Sequence, residues 1–564
     1  MDGDELNSLG ETVRSVRAES LADARPFPSF ATYVERCLYD PAFGYYASGR
    51  VDISERGHFG TYPELLGPLF GAMVAESVRE FWAAFEATGA LDGDDPFTVL
   101  ELGGGTGTLA HHVLTHVESV AETERWRPYA DRLDYVVGES SPVLRKRQRE
   151  RLAPFVRTDR AAVREMDARN VSWDGPFTGV VVSNELIDVF PPERLRVYGV
   201  GDVSRIHVVP TVPASVAAEW GVAAESPSVS IAADGRVAIP GAELWRMLAA
   251  EDGFGEWETV RFVELEVPLS CGWLDEEGET TSPASIESYL ENVEPLVADL
   301  AAVDELPVDL HCATSLPAFA DGLADLLSGP DCVGAALLVD YGGTSRYVLD
   351  PNSADDHVRI YGPDRELAHS PSVYHDPGGY DITWDVDFTE LARILHDSGL
   401  ETPFYGHQSG LEGPLREVAF EDAVEALATT IRDRLAADGT DPEREAVFEE
   451  TVRRVARFRE APNFSLLVVG APDGAYGGWF GDADPLDVSA LRTLTPNVGS
   501  EELATALAAA DLPREISTVL SPCCDPISSL SSYGLYRFRD GTMSVLESEK
   551  WLVDPGELAD DGGQ

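Results

Sequence analysis

The feature that most constrains this chain is one short stretch, Val99-Leu100-Glu101-Leu102-Gly103-Gly104-Gly105-Thr106-Gly107. An apolar run leads into glycines, and a helix-forming segment starts at Thr108-Leu109-Ala110. A glycine-rich turn between strand and helix lets main chain approach a ligand closely, and the helix N-terminus favours negative charge there. The spacing narrows the choice of ligand. A dinucleotide fingerprint, G-x-G-x-x-G/A, needs glycine or alanine at position 108, where this sequence has Thr108. Gly103, Gly105 and Gly107 are spaced instead as G-x-G-x-G, with Glu101 just ahead.

Further strands are predicted at LDYVVGES, TGVVVSNEL and GAALLVDYGG, with helical stretches between them. Such alternation specifies a doubly wound α/β sheet of Rossmann-like type. Glu139 closes the second of these strands, where an acid accepts hydrogen bonds from both hydroxyls of a ribose. Its distance from Gly107 exceeds the roughly 20 residues of simple dinucleotide folds, which fits a lengthened intervening helix. Around this core the chain is expected to divide into an N-terminal helical segment packing on the core (1–95), a first part of the core (96–202) and an inserted cap (203–285). A second part of the core with a helical insertion (286–471) and a small appended α/β domain with a frayed tail (472–564) complete it. The N-terminal segment carries helical periodicity over 5–40 and one long helix from Pro63 to about Thr88. Hairpins are expected at VSIAADGRVAIP in the cap and YGLYRFRDGTMSVLE in the last domain, and further helices between about 411 and 460.

Composition decides what the site can bind. With 44% hydrophobic residues over 564 positions the chain can bury sizeable cores. Against 99 Asp+Glu it has 42 Lys+Arg, a net charge of −57, and its lysines are Lys146 and Lys550 alone. This is the surface expected of a salt-in, archaeal halophile. Sequence-independent nucleic-acid binding, which needs clustered cations, is therefore not expected. In molar salt the Debye length is about 3 Å, so recognition must work by direct contact. Any single carboxylate is by default a solvated surface acid. The six cysteines, Cys523-Cys524 included, and the eleven histidines show no metal-ligand spacing, so no metal is expected. The acidic N-terminus is not a secretory signal and the apolar runs are too short to span a bilayer, so a cytoplasmic protein without membrane insertion is expected. Oligomeric state is left open.

The glycine loop, with Glu101 before it, resembles the first motif of class I S-adenosylmethionine-dependent methyltransferases. The order of motifs resembles one family more closely: SFATYVERCLYDPAFGYY, GHFGTYPELLGPLFGAMVAES, LELGGGTGTL, VVSNELIDVFPPERL, LLVDYGG, YDITWDVDFTEL and GHQSG. These segments resemble the MidA-like methyltransferases, whose mitochondrial members assist assembly of respiratory complex I and methylate arginine on one of its subunits. The resemblance runs from roughly residue 27 to 410 with interruptions. His58 stands where the family has aspartate and Tyr62 where it has serine, and the cap and the C-terminal domain match nothing in it. What the resemblance implies is S-adenosylmethionine as cofactor, held by Glu101, Gly103, Gly105, Gly107 and Glu139, and a protein substrate such as a respiratory-complex subunit.

A guanidinium is a poor nucleophile because its charge is delocalised and its pKa exceeds 12. Carboxylates fix its planar fork and draw positive charge toward the nitrogens they bind. Ser183-Asn184-Glu185-Leu186-Ile187-Asp188 follows a strand directly, at the sheet edge where ligands bind. Glu185 is the expected guanidinium anchor, Asp188 a supporting acid on the same face if the segment turns helically, and Asn184 an orienting amide. The alternative is a capping Asp188 and a solvated Glu185. Glu64, after Pro63 at a helix start, suits the helix dipole as well as it suits the cofactor edge. Asp340 and Tyr341 close a strand and border the expected substrate channel, Asp387 is expected to cap the helix FTELARIL, and Glu193 is left outside the site. An enzyme acting on a small molecule and a cofactor-binding assembly factor without catalysis remain alternatives. Gly105→Val is expected to abolish S-adenosylmethionine binding in a protein that still folds, because a branched side chain would stand where main chain meets ligand. Calorimetric titration with the cofactor, paired with circular dichroism, checks this; unaltered affinity would mean the loop is misassigned.

Overall fold

The computed structural model describes residues 14–54, 57–91, 96–222, 224–225, 235–250, 259–272, 284–303, 305–349, 357–363, 373–411, 464–472, 474 and 476. The helices expected over 411–460, the first half of the cap hairpin, Cys523-Cys524 and nearly all of the C-terminal domain lie outside the described residues. The chain forms two compact units, one of residues 53–187, 318–347 and 386 onward, the other of 1–52, 188–317 and 348–385.

The first unit is the doubly wound α/β sheet. Its main strands, numbered in chain order, are β1 (Phe97–Leu102), β2 (Leu133–Glu139), β3 (Ala161–Glu165), β4 (Thr178–Asn184), β5 (Val333–Gly343), β6 (Glu401–His407) and β7 (Phe464–Gly470). They lie in the order β6-β7-β5-β4-β1-β2-β3, and the short strand Val386–Asp387 pairs with the end of β5. β1 to β5 pair with one another in parallel, and β7 runs antiparallel to both β5 and the edge strand β6. Chain order reverses between β1 and β4, the place where a doubly wound sheet opens a crevice at its carboxyl edge. Every residue of β1 and of β7 is buried, as expected where helices cover both faces. Phe81 and Trp82 of the helix Pro68–Thr88 and Val113 and Val117 of the helix Thr108–Val120 share one core with Val99, Val180, Leu337 and Leu466 of the sheet.

The helix expected over 63–88 is two helices, Tyr62–Leu66 and Pro68–Thr88. Gly67, at φ +55° and ψ −123°, separates them. Proline disfavours helical geometry in the residue before it and starts a helix well, so Pro68 ends one and opens the next.

The second unit is built on a sheet in the order Arg14–Arg17, Arg261–Pro268, Asp202–Pro213, Glu193–Gly199, Val308–Cys312, with Arg236–Ala238 paired to Asp202–Pro213. Within the stretch 5–40, Phe30–Tyr39 is helical as expected, but Arg14–Arg17 is a strand parallel to Arg261–Pro268. Glu193 is buried and accepts a 2.9 Å hydrogen bond from Arg205 Nε within this sheet. No helix among the described residues is long and apolar enough to cross a membrane.

Asp387 caps the helix Phe388–Asp397. Its Oδ1 accepts from the N–H groups of Thr389 (3.0 Å) and Glu390 (3.1 Å), and Ser345 Oγ donates to the same carboxylate at 2.7 Å. Because the cap is buried, Asp387→Ala should cost about 2 kcal/mol, the upper end for a lost N-cap. Urea unfolding in multimolar KCl measures it, and a loss below about 0.5 kcal/mol would show that the cap adds little.

Candidate active site

Pairing register brings the candidate residues to one edge of the first unit. Leu102 lies level with Gly138 and Ser183, and Asn184 level with Val339. The chain segments leaving β1, β2, β4 and β5 therefore emerge side by side.

The loop after β1 has left-handed backbone at Gly103 (φ +68°), Gly105 (φ +50°) and Gly107 (φ +79°). At Gly103 a Cβ would also stand 2.6 Å from Leu186 Cδ1, the end of a side chain that would have to turn aside. At Gly105 the nearest atom to such a Cβ is Ile53 Cδ1 at 3.6 Å, so there the backbone conformation alone favours glycine. Beneath the loop Glu101 is buried, with Tyr135 Oη donating to its Oε2 at 2.8 Å and the Ala110 N–H donating to the carboxylate. Burial pushes this carboxyl up to about 7, against the pull of the Tyr135 bond and with a further push from Glu139. Above the loop Glu64 Oε1 accepts from the hydroxyls of Thr106 and Thr108, each at 2.6 Å, and Arg151 Nη1 donates to Thr106 Oγ1 at 3.0 Å. Thr108, which breaks the dinucleotide spacing, is thus one of the loop's tethers.

Glu139 is buried at the end of β2. Its Oε1 accepts from the Ser141 N–H at 2.8 Å and its Oε2 from Gln148 Nε2 at 3.1 Å; burial raises its pKa despite these bonds. Gln148 is a residue that motif reading missed. It is fully buried, its Nε2 also donates to the Gly105 carbonyl at 2.9 Å, and its Oε1 has no hydrogen-bond partner. The signal was available: Leu144, Gln148 and Leu152 follow one another at intervals of four and are all buried, so a polar residue sits within an apolar stripe.

The third group follows β4. Glu185 is partly buried with φ +52°. Its Oε1 accepts from Asn184 Nδ2 (3.1 Å) and from the Tyr62 N–H (3.3 Å), and Tyr341 Oη donates to its Oε2 at 3.2 Å. All three donors are neutral, and Glu185 has no ion-pair partner among the described residues. Burial, with the negative charge of Asp340 adding to it, pushes the Glu185 carboxyl up to about 8. Asn184 Oδ1 is buried with no hydrogen-bond partner. The helical continuation expected from Glu185 to Asp188 does not form: left-handed backbone at Glu185 breaks the register, and a 3₁₀ turn begins only at Ile187. Asp188 is buried and is counted with the other unit, where burial raises the pKa of Tyr46 and the Asp188 charge adds a smaller push. The structure therefore gathers Glu64, Glu101, the three glycines, Glu139, Asn184 and Glu185 in one unit, and Asp188 is not grouped with them.

A strand-order reversal, a glycine loop shaped for main-chain contact and an acid at the end of the neighbouring strand define an α/β protein that binds a nucleoside-containing cofactor. Residues 73–406, more than half of the chain, match the family described as "Putative S-adenosyl-L-methionine-dependent methyltransferase", and the chain belongs to that family. Its cofactor is S-adenosylmethionine. No curated protein matches the chain. Among solved structures, a Burkholderia thailandensis protein bound to S-adenosyl-homocysteine is 23% identical, with a TM-score of 0.48 over 80% of this chain and 89% of that one. A native structure of a protein from the same organism is 21% identical, with a TM-score of 0.48 over 81% and 91%. The Streptomyces coelicolor geranyl diphosphate C-methyltransferase is 8% identical, with a TM-score of 0.26 over 69% and 79%. The residues present fit the cofactor: left-handed backbone at Gly103, Gly105 and Gly107 suits a loop that meets its ligand with main chain, and the Gln148 amide oxygen is a buried acceptor still without a donor. No group of three His, Cys, Asp or Glu among the described residues is placed to hold a metal ion.

The pH dependence of stability carries the mark of Glu101. A buried carboxyl at about 7, against an ordinary 4.5, binds its proton more tightly folded than unfolded. Its contribution is fully present at low pH and is lost as pH rises from about 4.5 through about 7. Glu101→Gln should therefore gain stability relative to wild type between pH 5 and pH 8. Urea unfolding across that range checks it, and parallel curves for the two proteins would mean the carboxyl is not displaced.

Proposed function

We propose that the protein transfers a methyl group from S-adenosylmethionine to an arginine of a protein substrate. The observation that carries the reading is Glu185: a partly buried carboxylate bound by three neutral donors, beside a second acid, with no cation of the described residues facing it. Such an arrangement is poorly compensated until a cation arrives, and a guanidinium supplies both the charge and a planar fork of donors. A buried amide oxygen at Asn184, still without a donor, is one more acceptor for a substrate N–H.

In this reading Gly103, Gly105 and Gly107 admit the cofactor against main chain, Glu139 accepts from its ribose hydroxyls, and Glu64 braces the loop from the opposite side. Glu101 works from beneath, holding the loop and the first turn of the following helix. When bound, the cofactor supplies a sulfonium methyl group open to in-line attack. Glu185 fixes the guanidinium and draws positive charge toward the nitrogens it binds, leaving the remaining nitrogen richer in electrons as its proton departs. Asn184 orients both partners, donating to Glu185 and accepting from substrate. Family resemblance supports a subunit of a respiratory complex as the substrate, methylated during assembly on the cytoplasmic side.

Glu185→Gln keeps size and one acceptor but removes the charge. Cofactor affinity should hardly change, while methyl transfer falls by about 10²- to 10⁴-fold. Because the wild-type carboxyl is protonated below about 8, its rate should climb as pH rises toward that value, and the variant should lack this limb. Single-turnover transfer of labelled methyl to host protein at saturating cofactor measures both. A variant that still restores complex assembly without methylating would favour a scaffold, and undiminished methylation would remove Glu185 from the chemistry.

A further inference from the structure

Asp340 is fully buried at the carboxyl end of β5, next in sequence to Tyr341, whose phenol donates to Glu185. Its Oδ2 accepts from two successive main-chain N–H groups, Leu186 at 3.1 Å and Ile187 at 2.7 Å, and its Oδ1 accepts from the Tyr341 N–H at 2.8 Å. The first two belong to the turn immediately after Glu185. The Glu185 N–H is held in turn by the Val339 carbonyl at 2.9 Å, one residue before Asp340. Both sides of a left-handed glutamate are thus pinned by the end of one neighbouring strand.

That conformation is uncommon outside glycine and asparagine, and it persists only where surroundings enforce it. Two adjacent N–H groups turned toward one carboxylate are such an enforcement, because without it both donors would lose their partner in a dry site. The same carboxylate places a negative charge beside Glu185. The other groups bearing on Glu185 are neutral: the Asn184 amide, the Tyr62 N–H and the Tyr341 phenol. Among the described residues, Asp340 is the charged neighbour that pushes on Glu185.

We propose that Asp340 is the positioning residue of this turn: its carboxylate holds Glu185 in the left-handed geometry and sets the electrostatic field in which the Glu185 carboxyl works. Being fully buried and bound to the turn after Glu185, it acts through Glu185. The proposal rests on the reading of Glu185 as substrate anchor for its functional meaning, but its physical content can be tested without a substrate.

The experiment uses the full chain in multimolar KCl. The Glu185 carboxyl is followed by ¹³C NMR, its signal identified by its loss in Glu185→Gln, and exchange of the Leu186 and Ile187 amides is followed in parallel. In Asp340→Asn the Glu185 titration should move from about 8 toward the ordinary carboxylate range, and the two amides should exchange about 10-fold faster or more, the loss expected for hydrogen bonds to a charged group. In methyl transfer to host protein the rising limb should shift to lower pH, and in the Glu185→Gln background Asp340→Asn should add no further loss. If Asp340→Asn does not fold, Asp340→Glu takes its place: the charge stays, so Glu185 should still titrate high, while the displaced carboxylate lets the two amides exchange faster. An unmoved Glu185 titration with unchanged exchange in Asp340→Asn overturns the proposal, as do unchanged amides in Asp340→Glu. Lost activity without either spectroscopic change, or losses that add in the double variant, also overturns it. Failure of the anchor reading shows separately, as full methyl transfer by Glu185→Gln.

Discussion

In the parallel register of β1, β2, β4 and β5, Leu102, Gly138 and Ser183 stand level, and one residue further on Asn184 meets Val339. The rest of the candidate site depends on that alignment. Parallel pairing with a side-chain period of two means that a slip of a single residue would turn Glu101 or Asn184 to the opposite face. A slip would draw the polar residues at the strand ends into a core that helices cover on both faces. The same hydrophobic demand that makes the sheet a core also makes its carboxyl edge an abrupt boundary, where polar residues begin within one or two positions of one another on adjacent strands.

A good part of this was legible in the sequence. The glycine spacing around Gly103, Gly105 and Gly107 is a local requirement for backbone conformation, so local sequence shows it. Glu139 could be found because an acid that ends a strand has a defined place on a doubly wound sheet, and Asp387 because a capping aspartate precedes its helix directly. The turn at Glu185 was not legible as it stands. Asn-Glu-Leu-Ile-Asp reads as the start of a helix, and what overrides that is a carboxylate 154 residues away in sequence from the amide it binds at Leu186. The second sheet escaped for a similar reason: Arg14–Arg17 pairs with Arg261–Pro268, and no local periodicity encodes a partner so distant. Gln148 was hidden by company. In a helix dense with arginine a glutamine looks solvated, and only its place between Leu144 and Leu152 marks it as interior.

Electrostatics gives the site its character. In a chain of net charge −57 most carboxylates are hydrated and say little about function. Glu101, Glu139 and Glu185 differ because desolvation raises all three. The first two are held by tyrosine, glutamine and main-chain donors, which compensate a buried acid without neutralising it. Donors of this kind surround Glu185 as well. The edge of the sheet thus collects carboxyls that hold their protons more tightly than free ones, in a dry setting where recognition works by direct contact rather than through a surface field.

The break between the helices Tyr62–Leu66 and Pro68–Thr88 has a mechanical consequence. On one side of the short helix its first N–H meets Glu185, and two residues later Glu64 reaches the hydroxyls of the glycine loop. A single turn of five residues, released from the long helix by Gly67, thus bridges the strand-end turn and the loop. Its two ends touch the two regions proposed to hold substrate and cofactor, and any coupling carried through it would be equal in both directions.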